Sequence, residues 1–596
     1  MKFRFLLCLC AAAAAVATTT RALPVHDGQV MVRLSDSGSN QTLSNLSTRY
    51  GYEYIREVKA PDGLLYHVLR KKSIRAAPVE LEDDESQFQI SALTRTHHHD
   101  LVKHPDVQFV EAQILRTHTK RHGFPLRRRE REPPHDPMYR YQWHLEWINA
   151  NMAWDAGFTG AGVQIAVVDD GLEKSHPEFT IPQNRYSAEG SYDFNHYDAE
   201  PTPDPRYDDH GTSAAGTAAA SMNTHCGVGV APEVSVAGIQ MLSGAITDAQ
   251  EASALSYRWD LNDIYSCSWG PSDNGENLVG PGPFTRLALE RATKEGRNGR
   301  GSLFVWAAGN GALSGDDCNF DGYANSRFVA TIGALDDHHV RSRYAESCAA
   351  MLAVAPSSGG SERIITADLS GRAGASSTEC RTNFGGTSAA CPMVAGAYAL
   401  LLQARPELTW RDVHHATVRS CDTSTRIRDG GADSFKRNGG GRMFSHDYGF
   451  GLVDVERLIE VGTSMDLVAE EVSEVVSFGG GSSFINYTAP YEVEVSAQIL
   501  VESVDLYVSL GVTSMRGALE ISLESPSGFV AHLHPLHGDR HVGSFEWRFN
   551  AVCFWDEHSD GVWKLHVTSV TNPRSTVDAP FRLVLHGTAA AAAVPF

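Results

Sequence analysis

Two short apolar runs, Val163 to Val168 and Phe304 to Ala308, have the length and predominantly hydrophobic character of buried strands in a parallel sheet. Two longer patterns have helical character. One is a small-residue run, Thr212 to Ala220, which follows Gly211 and suits a helix packed closely on a sheet. The other is the apolar stretch Ala389 to Leu402, with Pro392 near its start, where a helix can spare the missing N–H. Together they predict an α/β unit. Beyond about Gly462 the pattern becomes short alternating segments, Val504 to Leu510, Leu519 to Leu523, Trp563 to Thr568 and Phe581 to Leu585. Pro, Gly and Asp turns separate them, as in an all-β sandwich. Gln29 to Leu34 and Leu64 to Leu69 predict strands of a small α+β unit ahead of the α/β one.

Candidate chemistry stands where these elements end. Asp169 closes the first run, at the carboxyl end of a strand, where open α/β sheets place their sites. His210 opens the small-residue helix, and Ser388, in Gly385-Gly386-Thr387-Ser388-Ala389, opens the apolar one. Asn310 follows the second strand. Singly these are ordinary: Asp-Asp-Gly is a common turn and His-Gly-Thr carries little information. In this order and placement they describe a serine peptidase, with Asp169 fixing a tautomer of His210, His210 relaying the proton of Ser388, and Asn310 as oxyanion donor beside the Ser388 backbone N–H. The chain order Asp, His, Ser is that of the subtilisin arrangement.

Composition adds the compartment. Lys2 and Arg4, an apolar Phe5 to Val16 and small residues to Ala22 form a secretory signal, residues 1–22. No later run reaches the roughly 18–20 apolar residues of a membrane span, so none is expected in the mature chain. Residues 23–131 are rich in basic residues and His and end in Arg127-Arg128-Arg129-Glu130-Arg131, whereas the whole chain carries a charge of −21. A basic leader suits an acidic cleft, and the overall field argues against nucleic-acid partners. The remaining units are 132–461 and 462–590, and a monomer is expected. Of ten cysteines, Cys8 and Cys10 fall in the signal, and the rest lack close zinc-ligand spacing. Asn40, Asn45 and Asn486 begin glycosylation acceptor triplets.

Asp169-Asp170-Gly171-Leu172-Glu173-Lys174-Ser175-His176-Pro177, Tyr192-Asp193-Phe194-Asn195-His196-Tyr197-Asp198, Ile264-Tyr265-Ser266-Cys267-Ser268-Trp269-Gly270-Pro271 and Thr409-Trp410-Arg411-Asp412-Val413 resemble the kexin/furin proprotein convertases. Ser525-Pro526-Ser527-Gly528 and Ser559-Asp560-Gly561-Val562-Trp563 resemble their P domain. The resemblance implies a calcium-dependent endopeptidase of the secretory pathway lumen, or secreted, that cuts precursor proteins after paired basic residues and is inhibited by its own prodomain. It implies a first pocket lined by Asp273 and Asp321, a second bounded by Asp170, an outer contact at Glu251, and Trp269 in the cleft. It implies Ca2+ at Asp273, Asp316 and Glu346, a second site using Asp136 and Glu178, and the disulfides Cys226–Cys380 and Cys318–Cys348. Cys267, Cys391, Cys421 and Cys553 are left without partners. Maturation is expected after Arg131 or Arg129, with Arg121 the less favoured position. A catalytically silent protease-fold binding protein and a broad-specificity secreted subtilisin are the alternative functions; the intact Asp, His, Asn and Ser disfavour the first, and the acidic pocket the second.

Overall fold

The computed structural model describes residues 25–26, 29–34, 39–59, 65–73, 77–78, 94, 98–113, 119–120, 136–370, 379–423, 427, 435–481, 483–571 and 574–590. The expected signal and the Arg127 to Arg131 cluster lie outside them. In the leader, β1 (Gln29–Leu34), β2 (Tyr52–Lys59), β3 (Leu65–Lys71) and β4 (Val107–Ala112) form an antiparallel sheet, order β2-β3-β1-β4, covered on one face by α1 (Ser39–Tyr50) and by Leu101 of the short helix His99–Val102. Alternation along β1 splits its side chains between two cores. Val30 and Val32 pack with Leu46 of α1, while Met31 turns to the other face and joins Tyr66 and Val68. That second face rests on Ala249, Ala252, Phe284 and Ala288 of the next unit. A further short strand, β5 (Thr119–Lys120), also reaches that unit.

The next unit is built on a parallel sheet. Its strands are β6 (Gln164–Asp169), β7 (Tyr192–Asp193), β8 (Ser235–Gln240), β9 (Ile264–Cys267), β11 (Leu303–Ala307), β12 (Val329–Leu335) and β13 (Ala353–Pro356), with the short β10 (Trp269–Gly270) lying outside the sheet. Among the described residues the sheet has seven strands in the order β13-β12-β11-β9-β6-β8-β7, and the pairings are parallel. Its longer helices are α2 (His210–Ala219), α3 (Asp248–Leu255), α4 (Pro283–Gly299), α5 (Thr387–Ala404), α6 (Trp410–Ser420) and α7 (Val455–Ser464). Helix α5 is long and apolar enough to cross a bilayer, but 89% of it is buried, so it is a core helix.

Pro392 differs from its expected place. It is the sixth residue of α5, inside the helix, where its missing N–H deprives the Ser388 carbonyl of its usual partner. Ser268 Oγ donates to that carbonyl at 3.2 Å and makes good the loss. Helix α2 begins at His210, as expected, where the Asp170 carboxylate accepts the His210 and Gly211 N–H groups.

The C-terminal segment is an antiparallel sandwich as the alternation predicted. One sheet centres on Ile499–Val512 and Phe581–Ala589, the other on Leu519–Glu524 and Gly561–Ser569. It is joined to the parallel-sheet unit by buried polar contacts. Asn319 and Asn550 exchange two hydrogen bonds, at 2.9 and 3.0 Å. Arg411 of α6 forks onto the Glu502 carboxylate, with Nε 2.8 Å from Oε2, and His415 Nε2 stands 3.0 Å from Oε1. Burial pushes the Glu502 carboxyl up, but His415 and Arg411 outweigh it and hold it at about 2. A carboxyl lowered on folding adds stability above its ordinary range, and that stability is lost as pH falls toward 2. Glu502→Gln leaves Arg411 buried without its counter-charge, and stability is expected to fall by about 3–5 kcal/mol. The variant should also show a flatter loss between about pH 4.5 and 2. Denaturant unfolding at several pH values checks both, and a loss below about 1 kcal/mol would refute the coupling.

Candidate active site

Strand β6 delivers Asp169 to its carboxyl end, fully buried. His210, first residue of α2 and equally buried, points Nδ1 at this carboxylate, 2.8 Å from Oδ2 and 3.0 Å from Oδ1. The Asp170 N–H donates to Asp169 Oδ1 at 2.8 Å, which fixes the carboxylate plane. Helix and strand approach closely only because residue 211 is glycine. A Cβ there would lie 2.3 Å from the Gly171 carbonyl oxygen and 3.0 Å from Asp169 Cβ.

Ser388 is the second residue of α5, at the positive end of the helix dipole. Its Oγ lies 3.3 Å from the Ser268 carbonyl oxygen. Ser268 follows β9, whose Cys267 pairs with Val168 of β6, so the register places Ser268 beside Asp169. The sheet therefore brings the Asp169–His210 pair and Ser388 to the same strand ends. Asn310 comes from the loop after β11. Its Oδ1 accepts from the Thr387 N–H at 2.9 Å and from Thr387 Oγ1 at 3.2 Å, which settles the amide orientation. Its Nδ2 is buried and makes no hydrogen bond among the described residues. A buried donor of this kind costs free energy unless something arrives to accept from it.

Acidic residues surround this centre. Asp273, Asp316 and Glu346 bring carboxylate oxygens within 4.8 Å of one another. Backbone N–H groups hold them: Asn310 donates to Asp273 at 2.9 Å, Gly275 to Asp316 at 2.9 Å and Gly311 to Glu346 at 2.8 Å. Gly309, at φ 122°, is required there, since a Cβ would fall 2.2 Å from Glu346 Oε1. Three carboxylates this close repel unless a cation lies among them, and an all-oxygen donor set suits Ca2+. Asp136 and Glu178 meet on another loop. Asp136 Oδ1 accepts from Asn223 at 2.9 Å, and Glu178 Oε1 accepts from Cys226 at 2.8 Å and Gly227 at 3.2 Å. Burial pushes the Glu178 carboxyl up to about 7.

The cleft residues prove more occupied than their sequence suggests. Besides capping α2, Asp170 is fully buried. The Trp269 indole is buried among Trp306 and Tyr323 and donates to the Val168 carbonyl at 2.9 Å, so its backbone is the part available for pairing. Asp321 accepts the Tyr323 N–H at 2.7 Å. Glu251 is fully buried on α3, and neighbouring Asp248 is committed to the α4 start, accepting from Phe284 and Thr285 at 3.0 Å each. Both expected disulfides form, Cys226–Cys380 and Cys318–Cys348, each with Cα atoms 5.4 Å apart. Cys267, Cys391, Cys421 and Cys553 are buried and take part in no disulfide among the described residues.

A parallel sheet carrying Asp, His and Ser at its strand ends defines the subtilase class, and residues 160–451 match the Subtilase family. Residues 501–580 match the Proprotein convertase P-domain, so the chain belongs to the kexin-like proprotein convertases within the subtilases. It is 35% identical over 579 residues to kexin of Saccharomyces cerevisiae, covering 92% of this chain and 68% of that protein. Identity to a dibasic-processing endoprotease of Schizosaccharomyces pombe is 40% over 459 residues, 72% of this chain and 62% of the relative. Human proprotein convertase subtilisin/kexin type 7 is 40% identical over 472 residues, 75% and 59%. The chain thus spans between 59% and 68% of the length of these three relatives. A serine protease of Aeromonas sobria, solved with its chaperone, shares the fold at a TM-score of 0.65 and 23% identity, over 77% of this chain and 96% of that one.

Proposed function

We propose that this chain is a processing endopeptidase of the secretory pathway lumen, or secreted, that cuts precursor proteins after Lys/Arg-Arg with Asp169, His210 and Ser388. The observation that carries the reading is the aligned Asp169–His210 pair, set at a strand end, with a buried Asn310 Nδ2 that has no hydrogen-bond partner among the described residues. In this reading residues 1–22 are the signal, 23–131 an inhibitory prodomain, 132–461 the catalytic domain and 462–590 the P domain. Asp169 keeps the proton on His210 Nδ1, leaving Nε2 to take the Ser388 proton as Oγ attacks and to return it to the departing amine. Asn310 Nδ2 and the Ser388 N–H meet the oxyanion. Asn310→Ala should lower kcat about 10²- to 10³-fold with KM little changed, and a change confined to KM would reject that role.

Asp273 and Asp321 are assigned to the arginine before the cut, where a planar guanidinium gives two charge-assisted bonds to a carboxylate. Asp170 serves the preceding basic residue. Asp273, Asp316 and Glu346 would hold Ca2+, with Asp136 and Glu178 as a second site; the ion's charge offsets the clustered carboxylates. Further out, Glu251 stands without a second acidic contact, since Val279 bridges to Asp321 and Asp248 is used by α4. An arginine four residues before the cut keeps its guanidinium in solvent while Glu251 is buried on α3, and should therefore contribute only about 1 kcal/mol. Fluorogenic peptides with and without it should differ in kcat/KM by less than about tenfold, with Glu251→Ala reducing the difference further. Peptides lacking the arginine before the cut should be poor substrates, and equal cleavage of basic and non-basic peptides would refute the proposed function.

A further inference from the structure

Of the three acceptor triplets in the sequence, those at Asn40 and Asn45 fall in α1 of the leader, which the proposed maturation removes. Asn486-Tyr487-Thr488 belongs to the sandwich and stays on the processed chain. It follows the short strand Ser483–Phe484, which pairs with Thr576–Val577 and, among the described residues, forms an edge of its sheet. The ladder continues one residue further, with the Ile485 N–H donating to the Ser575 carbonyl at 2.9 Å. Neighbouring side chains of an extended strand alternate between faces, so residues 484 and 486 share one. Burial follows that rule: Phe484 is 69% exposed, Ile485 only 5%, and Asn486 is exposed again.

We propose that Asn486 carries an N-linked glycan whose first sugar packs on the Phe484 ring, an inference that rests on the secretory-lumen reading above. Thr488 shapes the acceptor: its N–H and its Oγ1 donate to Asn486 Oδ1 at 3.1 and 2.9 Å. Both bonds fall on the amide oxygen, so Nδ2, the atom that takes the sugar, is left out of them. This turn needs only three consecutive residues and is open to the nascent chain as well as to the fold. In the fold, the Asn486 N–H also donates to the Tyr491 hydroxyl at 2.8 Å, which fixes the turn against the next strand. The donor is a lipid-linked oligosaccharide pyrophosphate. Nδ2 bonds to C1 of its first sugar, the C1–O bond to the pyrophosphate breaks, Nδ2 gives up one proton, and the lipid pyrophosphate leaves.

Phe484 gives the sugar something to cover. A large exposed ring on an edge strand offers another chain both apolar surface and open backbone to pair with. A pyranose face turns C–H bonds of partial positive charge outward, and an aromatic face is negative, so the two attract as they stack. Two residues along an extended strand span about 7 Å, within reach of a sugar joined to the Asn486 amide. One glycan thus shields both the ring and the edge.

The full chain, expressed in a eukaryotic secreting cell, tests this. Enzymatic release of N-glycans turns an occupied asparagine into aspartate, and mass spectrometry should find residue 486 converted. Asn486→Gln and Thr488→Ala should each remove that glycan. Trimming the glycan to its first sugar should leave the unfolding midpoint where it was, and removing that last sugar should lower it by about 2 °C. In Phe484→Ala, an exposed substitution that leaves the core intact, removal should lower the midpoint by less than about half as much. A secreted chain with Asn486 unmodified, or equal shifts in wild type and Phe484→Ala, overturns the inference and leaves the compartment reading standing. A chain kept in the cytosol with its N-terminal signal uncut overturns both.

Discussion

A Ser388→Ala precursor is expected to remain one uncut chain and to lose about 10⁶-fold in kcat on dibasic peptides, the order lost when a triad that acts as a unit is deprived of its nucleophile. The substitution is structurally mild. Residue 388 is buried in the first turn of α5, alanine has the highest helix propensity, and the backbone carbonyl that Ser268 Oγ supports is retained. The loss must therefore come from chemistry. Asn310 and the helix N-terminus remain, so a residual rate of about 10³- to 10⁴-fold over water is expected from binding and oxyanion stabilisation alone. Circular dichroism and thermal unfolding close to wild type, beside an uncut precursor, support the assignment. A Ser388→Ala precursor that matures at the normal rate without other proteases removes Ser388 from the role of nucleophile.

Much of this centre is legible in the sequence because its parts are local. An apolar run predicts β6 and its end predicts Asp169; a small-residue run predicts α2, and its first residue is His210. The alternation that predicted the sandwich is likewise a local pattern, and the observed strands follow it. What escaped depends on partners far apart in the chain. Nothing near Pro392 announces that Ser268 will serve the carbonyl it leaves without a partner. Nothing near Asp170 shows that its oxygens will accept the first two N–H groups of α2. Trp269 was legible as a cleft residue, yet its indole is turned into the core, a distinction that depends on Val168, Trp306 and Tyr323. The Glu502–Arg411–His415 cluster joins two units whose sequences carry no trace of each other.

Asp169→Asn should cost about 10⁴-fold in kcat with little change in KM, and should do so although the replacement is nearly isosteric. The reason lies in the neighbour that fixes the group. The Asp170 N–H donates to Asp169 Oδ1 at 2.8 Å, so the asparagine oxygen will settle at that position and its amide nitrogen at the other. The other position, now Oδ2, is 2.8 Å from His210 Nδ1. An N–H facing Nδ1 makes that nitrogen the acceptor and moves the imidazole proton to Nε2, the atom that has to receive the proton of Ser388. The variant thus keeps its hydrogen bonds and acquires the wrong tautomer. Asp169→Ala provides the comparison, because it removes the partner without imposing a tautomer. If Asp169 only supported the fold, asparagine would restore most of the activity that alanine loses; if it sets the tautomer, asparagine will be no better than alanine. Measured kcat and KM for the three proteins on one Lys-Arg peptide decide the matter, and an Asp169→Asn enzyme within about tenfold of wild type would show that His210 keeps its working tautomer without this carboxylate.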